Sequence, residues 1–100
     1  MRKDSPQNID LAVRMLKTVA HPLRLRIITL LADEKKLSVG EIQRKLKAVQ
    51  STISQHLTFL KNVGILACDQ DDNIRYYYIV NKSVYKLLDS VDSYIKEGGH

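Results

Sequence analysis

The chain has 100 residues, 44% of them hydrophobic, with 16 Lys and Arg against 11 Asp and Glu and a net charge of +5. That length is one domain with enough apolar residue for a core. A single Cys excludes a disulfide scaffold and a cysteine-rich zinc module, no apolar run reaches the roughly 18 residues of a membrane span, and the polar start lacks the apolar heart of a signal peptide.

Residues 1–8 read as a frayed polar start. Ile9, Ala12, Val13, Leu16 and Ala20 then recur at helical spacing, and Leu11, Met15 and Val19 form a second apolar stripe on the same helix. A helix with two apolar faces touches two bodies, and in so short a chain the second body is expected to be another subunit. His21-Pro22 breaks this helix, and Pro suits the first position of the next. Residues 23–32 are apolar almost all round, apart from Arg24 and a strip at Arg26, Thr29 and Asp33, which predicts a central buried helix.

Ser38 with Glu41 three residues on fits a capping box, opening a short helix to about Leu46 with Val39, Ile42 and Leu46 inward. Residues 47–50 make a tight connection. Ser51–Val63 is the next helix, with Ile53, His56, Leu57, Leu60 and Val63 on one face and Gly64 as its stop. Ile65–Cys68 and Ile74–Val80 predict a β-hairpin around the polar turn 69–73. Asn81–Lys96 is the last helix, with Val84, Leu87, Leu88, Val91 and Ile95 at three-to-four spacing, and residues 98–100 fray. The expected fold is mainly α with a small β-hairpin: four helices, the hairpin and a fifth helix, in winged helix-turn-helix order.

The helix after the tight connection carries the functional signal. Opposite its apolar face stand Ser51, Thr52, Ser54, Gln55 and Thr58, with Gln50 at its start. These side chains are small, polar and uncharged, so they approach base edges at little desolvation cost. Gln pairs bidentately with adenine, worth roughly 1–3 kcal/mol of discrimination. A solvated helix without a partner favours Glu, Lys and Ala, since Ser and Thr are poor helix formers. Charge points the same way. Residues 1–50 hold 11 Lys and Arg against 5 Asp and Glu, and residues 51–100 hold 5 against 6. An excess gathered in one half suits a polyanion, although an ordinary solvated surface is charged too.

Three segments carry a resemblance. Residues 16–28, Leu-Lys-Thr-Val-Ala-His-Pro-Leu-Arg-Leu-Arg-Ile-Ile, look like the opening of the ArsR/SmtB family of bacterial repressors. Gln50-Ser51-Thr52-Ile53-Ser54-Gln55-His56-Leu57, followed by Leu60 and Val63-Gly64-Ile65-Leu66, is similar to that family's reading helix and entry to the wing. Arg75-Tyr76-Tyr77-Tyr78 resembles its second wing strand. The resemblance covers about residues 9–97. It implies a homodimer joined by the first and last helices, and a repressor released from its operator by an inducer.

Departures from the pattern bear on the inducer. Metal-sensing members of the family place cysteines where this chain has Ser38-Val39-Gly40. Others hold zinc on the last helix, where this chain aligns Asn81, Ser83, Tyr94 and Glu97. Imidazole and thiolate are what hold Zn²⁺ at tetrahedral sites, and neither stands at these positions, so the resemblance is to a metal-independent member with no cofactor. No residue pattern specifies an inducer. His21 reads as a cap or packing residue, His56 as a satisfied buried His, and Cys68 as a buried inert thiol rather than a redox centre.

Two departures touch DNA. Val49 precedes Gln50 where the family offers a Ser, so Ser51 becomes the capping candidate, or the first turn is loose. The wing carries Asp69, Asp71 and Asp72 against one Arg75, and acidic groups repel phosphates.

The reading is a single cytoplasmic domain over residues 1–100, a homodimeric repressor of the ArsR/SmtB type on a palindromic double-stranded operator. Gln50, Ser51, Thr52, Ser54, Gln55 and Thr58 are the base-reading candidates. Ser38, Arg44, Lys45, Lys47, Lys61 and Arg75 are the phosphate-backbone candidates. Leu11, Met15, Val19, Leu87, Leu88, Val91, Tyr94 and Ile95 are the dimer-interface candidates. The rival reading is a winged-helix protein-interaction module that does not bind DNA. No nucleophile–base pair or Gly-rich phosphate loop suggests an enzyme.

Overall fold

The computed structural model describes residues 6–99. In chain order these form α1 (Pro6–Val19), α2 (Pro22–Glu34), β1 (Leu37–Ser38), α3 (Val39–Leu46), α4 (Gln50–Asn62), β2 (Leu66–Asp71), β3 (Ile74–Ile79) and α5 (Ser83–Lys96). The core gathers from every element. Ile27, Ile28 and Leu31 of α2 meet Ile42 of α3, Ile53, Leu57 and Leu60 of α4 and Val84 of α5, all at 0% exposure. Three other helices thus wrap the central helix, as its nearly all-round apolar sequence requires.

Helix ends follow local chemistry. Pro22 opens α2, and His21 caps it by accepting the Leu23 N–H on Nδ1 at 3.2 Å. At the end of α4, Gly64 has φ +84°. Its N–H donates to the Lys61 carbonyl at 3.1 Å and the Ile65 N–H reaches back to Leu60 at 3.0 Å. This is a Schellman closure, with buried Ile65 and Leu60 as its apolar contact. Gly98 repeats it at φ +82°, with Gly98 N–H on Ile95 and Gly99 N–H on Tyr94. Residues 98 and 99 are therefore hydrogen-bonded in a helix cap, not frayed. The start is likewise ordered earlier than expected, since α1 begins at Pro6, a residue suited to a first helical turn. The rest of the two segments expected to fray, residues 1–5 and 100, lies outside the described residues.

The hairpin is larger than the sequence suggested. The turn is only Asp72-Asn73, both left-handed at φ +51° and +71°, the two-residue geometry that matches strand twist. Asp69 and Asp71, expected in a loop, are strand residues, with Leu66 opposite Ile79 and Asp71 opposite Ile74. β1 adds a third strand on the other side of β3, pairing Leu37 with Tyr77 and Ser38 with Tyr76. Tyr77 and Ile79 point inward on alternate positions of β3.

The stripes of α1 are reversed relative to the expectation. Val19, assigned to a partner subunit, is buried in the core of its own protomer, and Met15 packs against that core. Leu11 is exposed but lines a cleft with Met15, Val63 and Ile65 of the same chain. Ile9, Val13 and Leu16, the stripe expected inward, are 43–50% exposed. Both stripes have the same period, and the seat of the α1 end against α2 decided between them. Val63 is a second correction: as the residue closing α4 it is half exposed rather than core.

Candidate nucleic-acid interface

The site is built on α3, the turn after it, and α4. Ser38 and Glu41 form the expected capping box: Ser38 Oγ accepts the Glu41 N–H at 3.1 Å, and Glu41 Oε1 accepts the Ser38 N–H at 2.9 Å. The backbone bond from Ser38, then its hydroxyl, holds the Glu41 carboxyl below the usual carboxylate range. At its other end α3 stops on Lys47, left-handed at φ +54°, whose N–H closes onto Gln43. Arg26 of α2 donates to the Leu46 carbonyl at 3.0 Å and braces this end.

After the turn, α4 starts at Gln50 with Val49 as its capping residue and no side-chain cap. Ser51 stands inside the helix and does not cap it, so the first N–H groups of α4 face outward without a side-chain acceptor. Ile53, Leu57 and Leu60 are fully buried, which turns Gln50, Ser51, Gln55 and Thr58 to solvent. Thr52 and Ser54 are half-buried on the flanks of that face.

The wing borders the same surface. Ser38, Arg44, Gln50, Ser54 and Arg75 line one open groove with Gly40 and Asn73. Two base-reading and three backbone candidates, drawn from β1, α3, α4 and β3, thus converge on one groove. Lys47 is exposed in the turn beside it. Lys61 is not part of the groove: it stands eleven residues beyond Gln50, about 16 Å along the helix axis. Lys45 lies 4.0 Å from Glu34, an exposed pair that leaves the cation accessible.

The acidic wing is partly neutralised by a residue that sequence reasoning missed. Lys36 Nζ lies 2.6 Å from Asp69 Oδ2, and the Tyr78 hydroxyl donates to Asp69 Oδ1 at 3.4 Å. The hydrogen bond from Lys36 lowers the Asp69 pKa and raises that of Lys36. Thirty-three residues separate the partners, so no local pattern marks the pair. Asp71 and Asp72 stay exposed toward the tip. Cys68 is half-buried in β2, less enclosed than expected.

A second surface is apolar. Leu16, Val19, Ala20, Leu25, Ile28, Val84, Leu87, Leu88 and Val91 line a groove between α1, α2 and α5. Leu87 and Leu88 are half-buried, while Val91, Tyr94 and Ile95 are 42–63% exposed.

The positions where metal ligands were sought are mostly engaged otherwise. Ser38 is engaged as a cap and has Val39 and Gly40 as neighbours. Asn81 Oδ1 accepts the Ser83 N–H at 3.1 Å, and the Gly99 backbone is folded against the Tyr94 ring. Among the described residues no three His, Cys, Asp or Glu side chains gather in a metal-holding group.

Comparison with known proteins places this geometry. The model of the arsR family of bacterial regulatory proteins matches residues 21–67, from the cap of α2 into β2. An uncharacterised HTH-type transcriptional regulator of Methanocaldococcus jannaschii is 35% identical over 86 residues, 86% of this chain and 97% of that one. The transcriptional repressor PagR of Bacillus anthracis is 37% identical over 77% of this chain and 80% of its own. Its crystal structure superposes with a TM-score of 0.75 at 33% identity, covering 87% of this chain and 99% of that chain. HlyU from Vibrio cholerae, named a transcriptional activator, superposes with a TM-score of 0.79 at 31% identity, covering 87% and 94%.

Proposed function

This chain belongs to the arsR family of bacterial regulatory proteins, DNA-binding transcription regulators rather than enzymes, and from that premise we propose that it is a homodimeric, sequence-specific transcriptional repressor. One observation carries the reading. α4 is fully committed to the core on one face and presents Gln50, Ser51, Gln55 and Thr58 on the other, beside a groove holding Arg44 and Arg75. The uncharged side chains read base edges, and the cations hold phosphates on either side. Two copies of α4 enter successive major grooves, with half-sites about 34 Å apart on a palindromic operator. The dimer forms through α1 and α5, which leave Ile9, Val13, Leu16, Val91, Tyr94 and Ile95 exposed. An apolar surface of that size on a small domain marks an interface. Repression is metal-independent, because the sites where the family holds metal carry a cap residue and an Asx turn instead.

The test is selection of bound duplexes from the source genome, followed by mobility shifts across a salt series. An enriched palindrome and a steep log–log salt slope are expected. A shallow slope with no enriched sequence overturns DNA reading and leaves the protein-interaction module. A reporter driven by the enriched promoter then gives the sign: expression falls when the chain is supplied, and a rise makes it an activator, as HlyU is named.

A further inference from the structure

Arg24 interrupts the apolar surface of α2, and its side chain reaches two other helices. Nε donates to His56 Nδ1 at 3.2 Å, and the guanidinium carbon lies 4.0 Å from the centroid of the Phe59 ring. Nη1 donates to the Thr18 carbonyl oxygen at 3.3 Å. His56 and Phe59 are three residues apart on α4 and share a side of it, and Thr18 is in the last turn of α1. One planar fork therefore grips the flank of the reading helix and the end of α1 together. Lys, a single point donor, cannot make all three contacts.

The hydrogen bonds also state where protons are. A guanidinium only donates, so His56 Nδ1 carries a lone pair and that ring is neutral. The His21 ring, 4.6 Å away between centroids, accepts the Leu23 N–H on its own Nδ1. We propose that Arg24 is the positioning residue of the reading helix, fixing α4 against α2 and α1 through His56 and Phe59, and that a proton on His56 releases it. Protonation removes the acceptor and sets an imidazolium against a guanidinium.

Burial, then repulsion from His21 and Arg24, lowers the affinity of His56 for that proton. His21 and Arg24 are the charged and titratable groups acting on His56 among the described residues, and neither stabilises the cation. Because the folded value is depressed, the unfolded chain binds more protons as pH falls through the ordinary His value near 6.5. The stabilisation is fully present above that pH and is lost as pH falls through the lower, folded value, where the contact itself breaks.

The proposal rests on DNA reading by α4, and the test separates the two. The probe is a duplex enriched from a random library by the wild-type protein at neutral pH. Its affinity, and the thermal midpoint of the free protein, are measured at one ionic strength on either side of the ordinary His value, at roughly pH 7.5 and 5.8. Wild type loses about fivefold or more in affinity at the lower pH, the scale of a linked effect. His56→Gln keeps an acceptor oxygen for Arg24 without titrating, and His21→Asn keeps a helix cap. The double variant is compared with itself: whatever its affinity at the higher pH, it stays within about twofold of that value at the lower, because neither replacement side chain titrates in this range. Arg24→Lys binds more weakly at both and loses most of the pH response.

An equal pH response in wild type and double variant overturns the proposal. So does tighter binding by wild type at the lower pH, which would set His56 against a phosphate. If no duplex is enriched, DNA reading fails by itself, and the thermal midpoints still judge the lock: acid lowers the wild-type midpoint more than that of the double variant, and equal falls reject it. Ring-nitrogen spectra of the wild type need no substitution. His56 is protonated on Nε2 and titrates below free histidine, and a His56 that titrates like free histidine also rejects the lock.

Discussion

Ile53 and Gln55 stand two residues apart on α4 and have opposite environments, the first at 0% exposure and the second in solvent. Two steps along a helix turn the chain by about 200°, so the burial of one exposes the other. Gln55→Ala is expected to change unfolding stability by no more than about 0.5 kcal/mol. It weakens operator binding by roughly 1–3 kcal/mol per half-site while sparing non-specific DNA. If the variant binds operator like wild type, reading belongs to Gln50 and Ser51. Lys61→Ala acts differently, weakening both kinds of binding and reducing the salt slope by about one per lost phosphate contact. The wing supplies another residue-scale test. Lys36→Met leaves Asp69 uncompensated beside the DNA, so affinity falls, most steeply at low salt. Adding Asp69→Asn restores it, and a double variant no better than Lys36→Met shows that Lys36 itself touches phosphate. Gln55 was legible because its face follows from the period of Ile53, Leu57 and Leu60. Lys36 was not, because its role depends on a strand thirty-three residues away.

At the scale of elements, the two helices of the site start in unlike ways. α3 is closed by Ser38 and Glu41 acting on each other, whereas α4 opens on Val49 with no side-chain acceptor. Ser38→Ala is expected to cost about 1 kcal/mol in urea unfolding, and Val49→Ser to gain a similar amount. No gain at Val49 means that the first N–H groups of α4 already have partners. The capping box was readable because both members lie within three residues. The strand β1 was not, since two residues show no alternation and Leu37 and Ser38 become a strand only by pairing with Tyr77 and Tyr76. The hairpin turn was recognised as polar, but its length was not. The left-handed pair Asp72-Asn73 brings Asp69 and Asp71 into the ladder, and a run of Asp, Gln and Asn gives no period from which to foresee that.

At the scale of the whole molecule, α1 poses the sharpest test. Leu16→Glu leaves the protomer folded, because Leu16 is 50% exposed, and shifts sedimentation at micromolar concentration from dimer to monomer. Val19→Glu, only three residues on but 8% exposed, unfolds the chain, since it buries an unpaired charge. The opposite pattern would restore the Leu11, Met15 and Val19 stripe as the interface. Adding stoichiometric zinc leaves operator affinity within about twofold, where a linked inducer gives 5–150-fold, and a tenfold loss reveals a metal site elsewhere. The order of the five helices and the hairpin, the capping box of α3 and the polar face of α4 were determined by the sequence alone, because each is set by residues within one or two helical turns. The tertiary structure decided which stripe of α1 turns inward, which cations share a groove, and what Lys36 and Arg24 hold. Those outcomes depend on how distant segments pack, and local periodicity has the same value for either choice.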